Sequence, residues 1–117
     1  MELLESGRIT EKFQPSYVVS PLSVAQQPSG KKRLILDLSN LNKYVAKAHF
    51  KLDDWKVGIQ FMSKNAYMVT FDLRSGYHHV DIDANFQKFL GFSRDFEVTR
   101  YFEFNVLPFG LTSAPYL

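Results

Sequence analysis

The chain has no cysteine, which excludes disulfide staples and any zinc site built on thiolates; that fits an intracellular setting, in cytoplasm or nucleus. No apolar run approaches the ~20 residues of a membrane-spanning helix. The opening stretch MELLESGRITEKF is mixed and acidic, unlike a secretory leader, so no membrane association is expected. Internal repeats and low-complexity tracts are also lacking, and so is a strong charge of one sign. The net charge of +2 is only a slight pull toward a polyanionic partner. Hydrophobic residues are plentiful at 45%, with eleven phenylalanines among 117 residues. That is enough for one domain or part of one, burying roughly two-thirds of its unfolded surface if it is complete.

Residues Met1 to Ser6 suit a helical turn. Pro15, Pro21 and Pro28 then punctuate a stretch that reads as extended and broken from Tyr17 to Ala25. QQPSGKK has the residues of a tight reversal, and RLILDL after it reads as a strand, which predicts a hairpin with a basic tip. SNLNKYV leaves that strand as a turn or short helix. Asp53 or Asp54 suits a helix N-cap. The spacing of Trp55, Ile59 and Met62 predicts an amphipathic helix over 54–64 with a buried stripe, ended by Asn65. Tyr67 to Leu73 is the best strand in the chain, apolar on both faces and so expected in a covered, central position. DANFQK reads as a turn or one helical turn, and FLGF and VTRYFEF as two strands joined around SRD. LPFGLTSAPYL opens on a Pro-Phe-Gly turn, after which Thr112 or Ser113 could cap a helix with Pro115 in its first turn. Hairpins mixed with helices imply an α+β fold.

The apolar run Tyr67 to Phe71 drives straight into a carboxylate, Asp72. An acid at the end of a buried strand is well placed for a hard cation such as Mg²⁺, which takes oxygen ligands and is commonly held by one or two carboxylates plus substrate phosphates. Spacing alone favours a plainer role, an Asp capping its own turn. Tyr77 follows beyond Gly76, where a bend could return its ring to the carboxylate; a core tyrosine is the plainer reading. His78 and His79 would face opposite sides of a strand, which gives them no shared metal. GKKR at 30–33 puts Lys31, Lys32 and Arg33 at the hairpin tip, where Arg33 could grip phosphate with two bonds and Lys31 could add a point charge. A run this short is ordinarily a solvated turn. PFGL at 108–111 is a turn in which Gly110 permits close backbone approach.

The order of these weak signals is specific. SPLSVAQQPSGKKRLILDLSNLNKYV, then TFDLRSGYHHVDI, then FEFNVLPFGLTSAPYL closely resembles the fingers and first palm segments of a retroelement reverse transcriptase. The likeness is greatest to gypsy-type and DIRS-type retrotransposon polymerases, which carry strings such as DLKSGYHQI and MPFGLTNAPATF. It runs from about Ser20 to Leu117. The resemblance implies a partial right-hand polymerase fold, with a fingers-like hairpin and helix over about 1–66 and the start of the palm over about 67–117. It implies that Asp72 is a catalytic aspartate holding two Mg²⁺ ions, or Mn²⁺ in their place, with the Leu73 carbonyl as a further ligand. Tyr77 becomes the steric gate against a ribose 2′-OH. Arg33 and Lys31 lie against the nucleotide triphosphate, Phe109 and Gly110 line the nucleotide pocket, and Asp37 and Asn42 are structural. The implied reaction is two-metal nucleotidyl transfer from deoxynucleoside triphosphates onto a primer on an RNA or DNA template held mainly by its backbone.

Two features depart from the family pattern. Gln26 and Gln27 stand where many relatives have lysines before the fingers turn. The family's aromatic-x-Asp-Asp motif does not occur in the 117 residues. The chain alone is therefore expected to be inactive, with the remainder of a Pol polyprotein downstream. The rival expectations are a non-catalytic nucleic-acid-binding remnant and an inactive partial gene product.

Overall fold

The computed structural model describes residues 2–47, 49–95 and 97–116. In chain order the elements are helix α1 (Glu2–Glu5), strands β1 (Ile9–Lys12), β2 (Leu22–Gln26) and β3 (Lys32–Leu36), and helices α2 (Ser39–Asn42) and α3 (Trp55–Gly58), the last running on into a 3₁₀ turn at Ile59–Phe61. Further 3₁₀ turns lie at Gly76–His79 and Gln87–Phe89, before strands β4 (Gly91–Asp95) and β5 (Thr99–Phe104), and a last one at Ala114–Tyr116. The strands form an antiparallel sheet in the order β1-β5-β4 and a separate β2-β3 hairpin. This is the α+β class expected. The outline is elongated, 61 × 35 × 24 Å.

The core sits on one face of the three-stranded sheet. Because side chains alternate along a strand, Phe102 and Phe104 of β5 share a face with Phe92, which stands opposite Phe102. Their rings lie 5.4 and 5.5 Å from Phe92. Ile9, Leu36, Leu38, Leu90 and Val106 complete the buried cluster. β1 was not foreseen: RITEKF shows little apolar alternation, and only Ile9 of the strand is buried. Its place is fixed by pairing with β5, Ile9 opposite Phe104.

The segment around residues 16–20 runs beside β4, Val19 bridging Gly91 in parallel, and brings Ser16 to Glu103 on the other face of the sheet. Glu103, 8% exposed, accepts a hydrogen bond from the Ser16 hydroxyl at 2.8 Å and lies 3.7 Å from the Lys12 ammonium. Gly91 stands opposite Glu103 and is bonded through its backbone to Val18 and Ser20. A Cβ at Gly91 would fall 2.5 Å from Ser16 Cβ and 2.6 Å from the Val18 carbonyl oxygen. The neighbour is backbone in part, so Gly91→Ala must displace this paired segment. A loss in the upper part of the roughly 1–3 kcal/mol range for overpacking is expected, read as a lower urea midpoint at unchanged slope.

The basic hairpin forms as read. Gly30 adopts a φ of 82° and donates its N–H to the Gln27 carbonyl at 2.8 Å. SNLNKYV becomes α2, and DANFQK becomes a turn stapled by Asp83, which accepts from the Asn85 N–H.

Several expectations are corrected. The helix over 54–64 is short. Asp54 caps it as expected, accepting from the N–H groups of Lys56 and Val57, but it tightens to 3₁₀ at Ile59 and has ended by Met62. Trp55, Ile59 and Met62 are exposed, not buried, since among the described residues no apolar face covers them, and helices this short draw their stability from such packing. Asn65 lies beyond the helix in a left-handed turn, φ 64°.

The strand over Tyr67 to Leu73 is absent. This stretch is outside every strand and pairs with none among the described residues, and Tyr67 and Phe71 are 105% and 87% exposed. A strand is defined by its ladder, and apolar composition alone does not supply one. SRD lies inside β4 instead of forming the turn, which falls past Asp95. The expected cap at Thr112 or Ser113 is not made. The Thr112 N–H instead donates to the Asn42 side chain, and Pro115 sits in the 3₁₀ turn Ala114–Tyr116. His78 and His79 are on a 3₁₀ turn, not a strand. Met1 and Leu117, at the ends of two of the stretches read above, lie outside the described residues.

Candidate active-site cleft

The bend after Asp72 is built from local chemistry. Ser75 takes the left-handed conformation, φ 53°, and the 3₁₀ turn Gly76–His79 follows at once. The reversal brings Tyr77 back toward the carboxylate. Phe71, Asp72, Leu73, Ser75, Gly76, Tyr77 and Phe109 line one open cleft of about 650 Å³. The Tyr77 and Phe109 rings meet at 5.0 Å, tilted by 58°.

Phe109 comes from the other side of the sequence on a firmly held turn. Before it, Leu107 and Pro108 are buried, and Leu107 donates its N–H to the Val80 carbonyl. Asn105 bonds the Gly7 carbonyl and Thr10 hydroxyl through its side chain and the Arg8 and Ile82 backbones through its own. After it, Gly110 turns at φ 97°. Asn42 clamps this turn: its amide nitrogen donates to the Gly110 carbonyl and its oxygen accepts from the Thr112 N–H, both at 2.8 Å. Asp37 accepts from the Ser39 hydroxyl and N–H, which hold its carboxyl below the usual carboxylate range. Both residues thus have structural tasks. Asn105 and Arg8 carried no signal in the sequence; their roles arise only once β1 is laid beside β5.

Of the residues singled out in the sequence, Asp72, Leu73, Tyr77 and Phe109 converge on the cleft, with Gly110 in the adjoining turn. Lys31 and Arg33 do not line it; they are exposed on the β2-β3 hairpin. Asp72 is the single carboxylate among the lining residues, and no group of three or more His, Cys, Asp or Glu side chains gathers among the described residues. An exposed carboxylate beside a backbone carbonyl is a hard-oxygen donor set, which fits one side of a Mg²⁺ site and not a whole one.

The family model for reverse transcriptase (RNA-dependent DNA polymerase) matches residues 24–117. The chain belongs to the reverse transcriptase family. It is 27% identical over 120 residues to a polyprotein of Cassava vein mosaic virus, covering 97% of this chain and 18% of that protein. It is 26% identical over 118 residues to a retrovirus-related Pol polyprotein from transposon 297 of Drosophila melanogaster, covering 97% and 11%. The chain therefore spans less than a fifth of the length of these relatives. The solved prototype foamy virus protease-reverse transcriptase shares its fold, with a TM-score of 0.73 at 22% identity over 97% of this chain and 15% of that one. Viral and transposon relatives match at similar identity, which supports this reverse transcriptase family without selecting its gypsy-type or DIRS-type branch.

Proposed function

We propose that this chain supplies the fingers hairpin and the first palm segments of an RNA-directed DNA polymerase, with about 1–66 fingers-like and about 67–117 the start of the palm. The observation that carries the reading is the convergence of Asp72, Tyr77 and Phe109 on one cleft from stretches more than thirty residues apart. In this role Asp72 and the Leu73 carbonyl hold Mg²⁺ or Mn²⁺ together with carboxylates from elsewhere in the polymerase. The bound ions supply charge neutralisation at the reacting phosphate.

The chain's own contribution is positioning and exclusion, which dominate phosphoryl transfer. Tyr77 forms the wall beneath the incoming sugar, and Phe109 holds that wall from behind. Gly110 lets the turn approach the primer end. Arg33 and Lys31 reach the triphosphate from the fingers hairpin, which has to fold over the cleft to bring them there. The substrates are deoxynucleoside triphosphates and a primer on an RNA or DNA template, the template and primer gripped through their phosphates.

The test uses a chimera in which residues 1–117 replace the matching segment of the transposon 297 polyprotein. Tyr77→Ala is expected to raise ribonucleotide incorporation relative to deoxynucleotide by roughly 10-fold or more, a loss of about 1.4 kcal/mol of discrimination or greater. Tyr77→Phe, which keeps the ring, should discriminate as the parent does. Unchanged selectivity in Tyr77→Ala removes the gate role.

A second reading, nucleic-acid binding without catalysis, is favoured by the exposed cations Lys31, Lys32 and Arg33 at the hairpin. It requires the isolated chain to bind primer–template with an affinity that falls steeply with salt.

A further inference from the structure

Phe109 is 54% exposed and sits on a turn, a setting in which an aromatic ring ordinarily samples several rotamers. Here it is flanked on two sides. Tyr77 lies 5.0 Å from it and His78, the next residue on the same 3₁₀ turn, 5.5 Å. Both separations are within the range of favourable ring pairs. His78 is itself anchored: it is half-buried, its ring packs 6.2 Å from core Phe104, and its Nδ1 lies 3.4 Å from Arg8 Nη1. Arg8 is held in turn by its backbone, which donates to the Leu3 carbonyl and accepts from the Asn105 N–H.

We propose that His78, held by Arg8, is a positioning residue that fixes the Phe109 ring against Tyr77 and so sets the shape of the cleft wall. The functional meaning of that wall rests on the reading of Tyr77 and Phe109 given above. The geometry dictates the state of the imidazole. A guanidinium carries donors only, so Nδ1 must accept, which requires a neutral ring protonated at Nε2. Protonating Nδ1 sets donor against donor and a second cation beside Arg8. Among the described residues, Arg8, from the turn before β1, and His79, next on the same turn, are the charged or titratable groups acting on His78; Phe104 and Phe109 bring no charge. His79 is turned toward the Arg74 carbonyl, 3.1 Å away. Burial first, then Arg8 and His79, lower the His78 pKa from its ordinary 6.5. A depressed pKa means the folded chain favours the neutral ring. The arrangement is intact above about pH 6.5 and loosens as pH falls below it.

The experiment is an NMR titration of the ¹³C,¹⁵N-labelled 117-residue chain between pH 8 and 4.5, without nucleotide. Long-range ¹H–¹⁵N correlations should report the Nε2–H form of His78 at neutral pH. The His78, Tyr77 and Phe109 ring signals should shift with one shared midpoint below 6.5, and Arg8→Gln should raise that midpoint for all three. Because a nearby imidazolium shifts neighbouring ring signals by its field alone, the deciding readout is the Tyr77–Phe109 ring-to-ring NOE, which should weaken through the same midpoint when His78 no longer fixes Phe109. An Nδ1–H tautomer, a Tyr77–Phe109 NOE that stays constant through the His78 titration, or an unmoved midpoint in folded Arg8→Gln each overturn the proposal. If Arg8→Gln does not fold, the titration of the unsubstituted chain decides by itself. Because nucleotide plays no part, loss of the sugar-gate reading leaves this result standing, and loss of the coupling leaves the gate assay standing.

Discussion

Purified residues 1–117 are expected to give no Mg²⁺- or Mn²⁺-dependent extension of oligo(dT) on poly(rA) above that of an Asp72→Ala control. Two-metal transfer needs both ions clamped about 3.5–4 Å apart, which takes several carboxylates. Asp72 is the single one lining the cleft, and no group of three metal-ligating side chains gathers among the described residues. The scaffold is also too loose. Asp72 ends a stretch that pairs with no strand among the described residues, and misplacing a reacting group by about 1 Å already costs roughly 100-fold. These deficits act on the same step, so adding metal does not rescue it. Metal-dependent extension clearly above the control would show that residues 1–117 hold a working site.

In the same chain the amides of residues 67–73 are expected to exchange with solvent at rates close to those of an unstructured peptide. In the chimera with the rest of a polymerase they should slow by at least about a thousandfold. The first half follows from exposure and from the absence of a ladder over this stretch, the low-stability end of the range seen within one protein. The second follows from composition. Tyr67, Met68, Val69 and Phe71 are apolar on both faces, the pattern of a strand covered on two sides. Such a strand opens only with a large part of its domain, and a thousandfold protection corresponds to an opening cost of about 4 kcal/mol. Hydrogen exchange read by mass spectrometry on the two proteins compares the same peptides directly. Equal exchange in both would show that residues 67–73 are a loop in the polymerase too.

What the sequence disclosed, and what it hid, divides along the range of the interactions involved. The basic hairpin was legible because PSG and its flanking strands are neighbours in the chain. The Asp54 cap was legible for the same reason, its partners being two and three residues away. The strand over 67–73 and the buried stripe of Trp55, Ile59 and Met62 were misread because apolar pattern reports a demand for partners, not their presence. β1 was hidden by the opposite circumstance: RITEKF carries little pattern, and its register is set by β5 about ninety residues later. In the cleft, a bend between Asp72 and Tyr77 could be read locally, but the residues alone favoured plainer roles for both, and only the order of motifs drew them together. The Arg8–His78–Phe109 chain was not, since it joins three segments that only the folded sheet brings together.

The central claim is that Asp72 is one corner of a polymerase metal site. Its most direct measurement is primer extension by the transposon 297 chimera with and without Asp72→Asn, an isosteric change that removes the charge and leaves the bend in place. Metal-held charge stabilisation is worth several kcal/mol, so Asp72→Asn should lower the extension rate by roughly a thousandfold or more. Primer–template affinity should stay unchanged, because that contact is expected through the nucleic-acid backbone and away from Asp72. An Asp72→Asn chimera that extends primers at close to the parent rate would contradict the account, and would return Asp72 to the role of a residue that merely ends an apolar run.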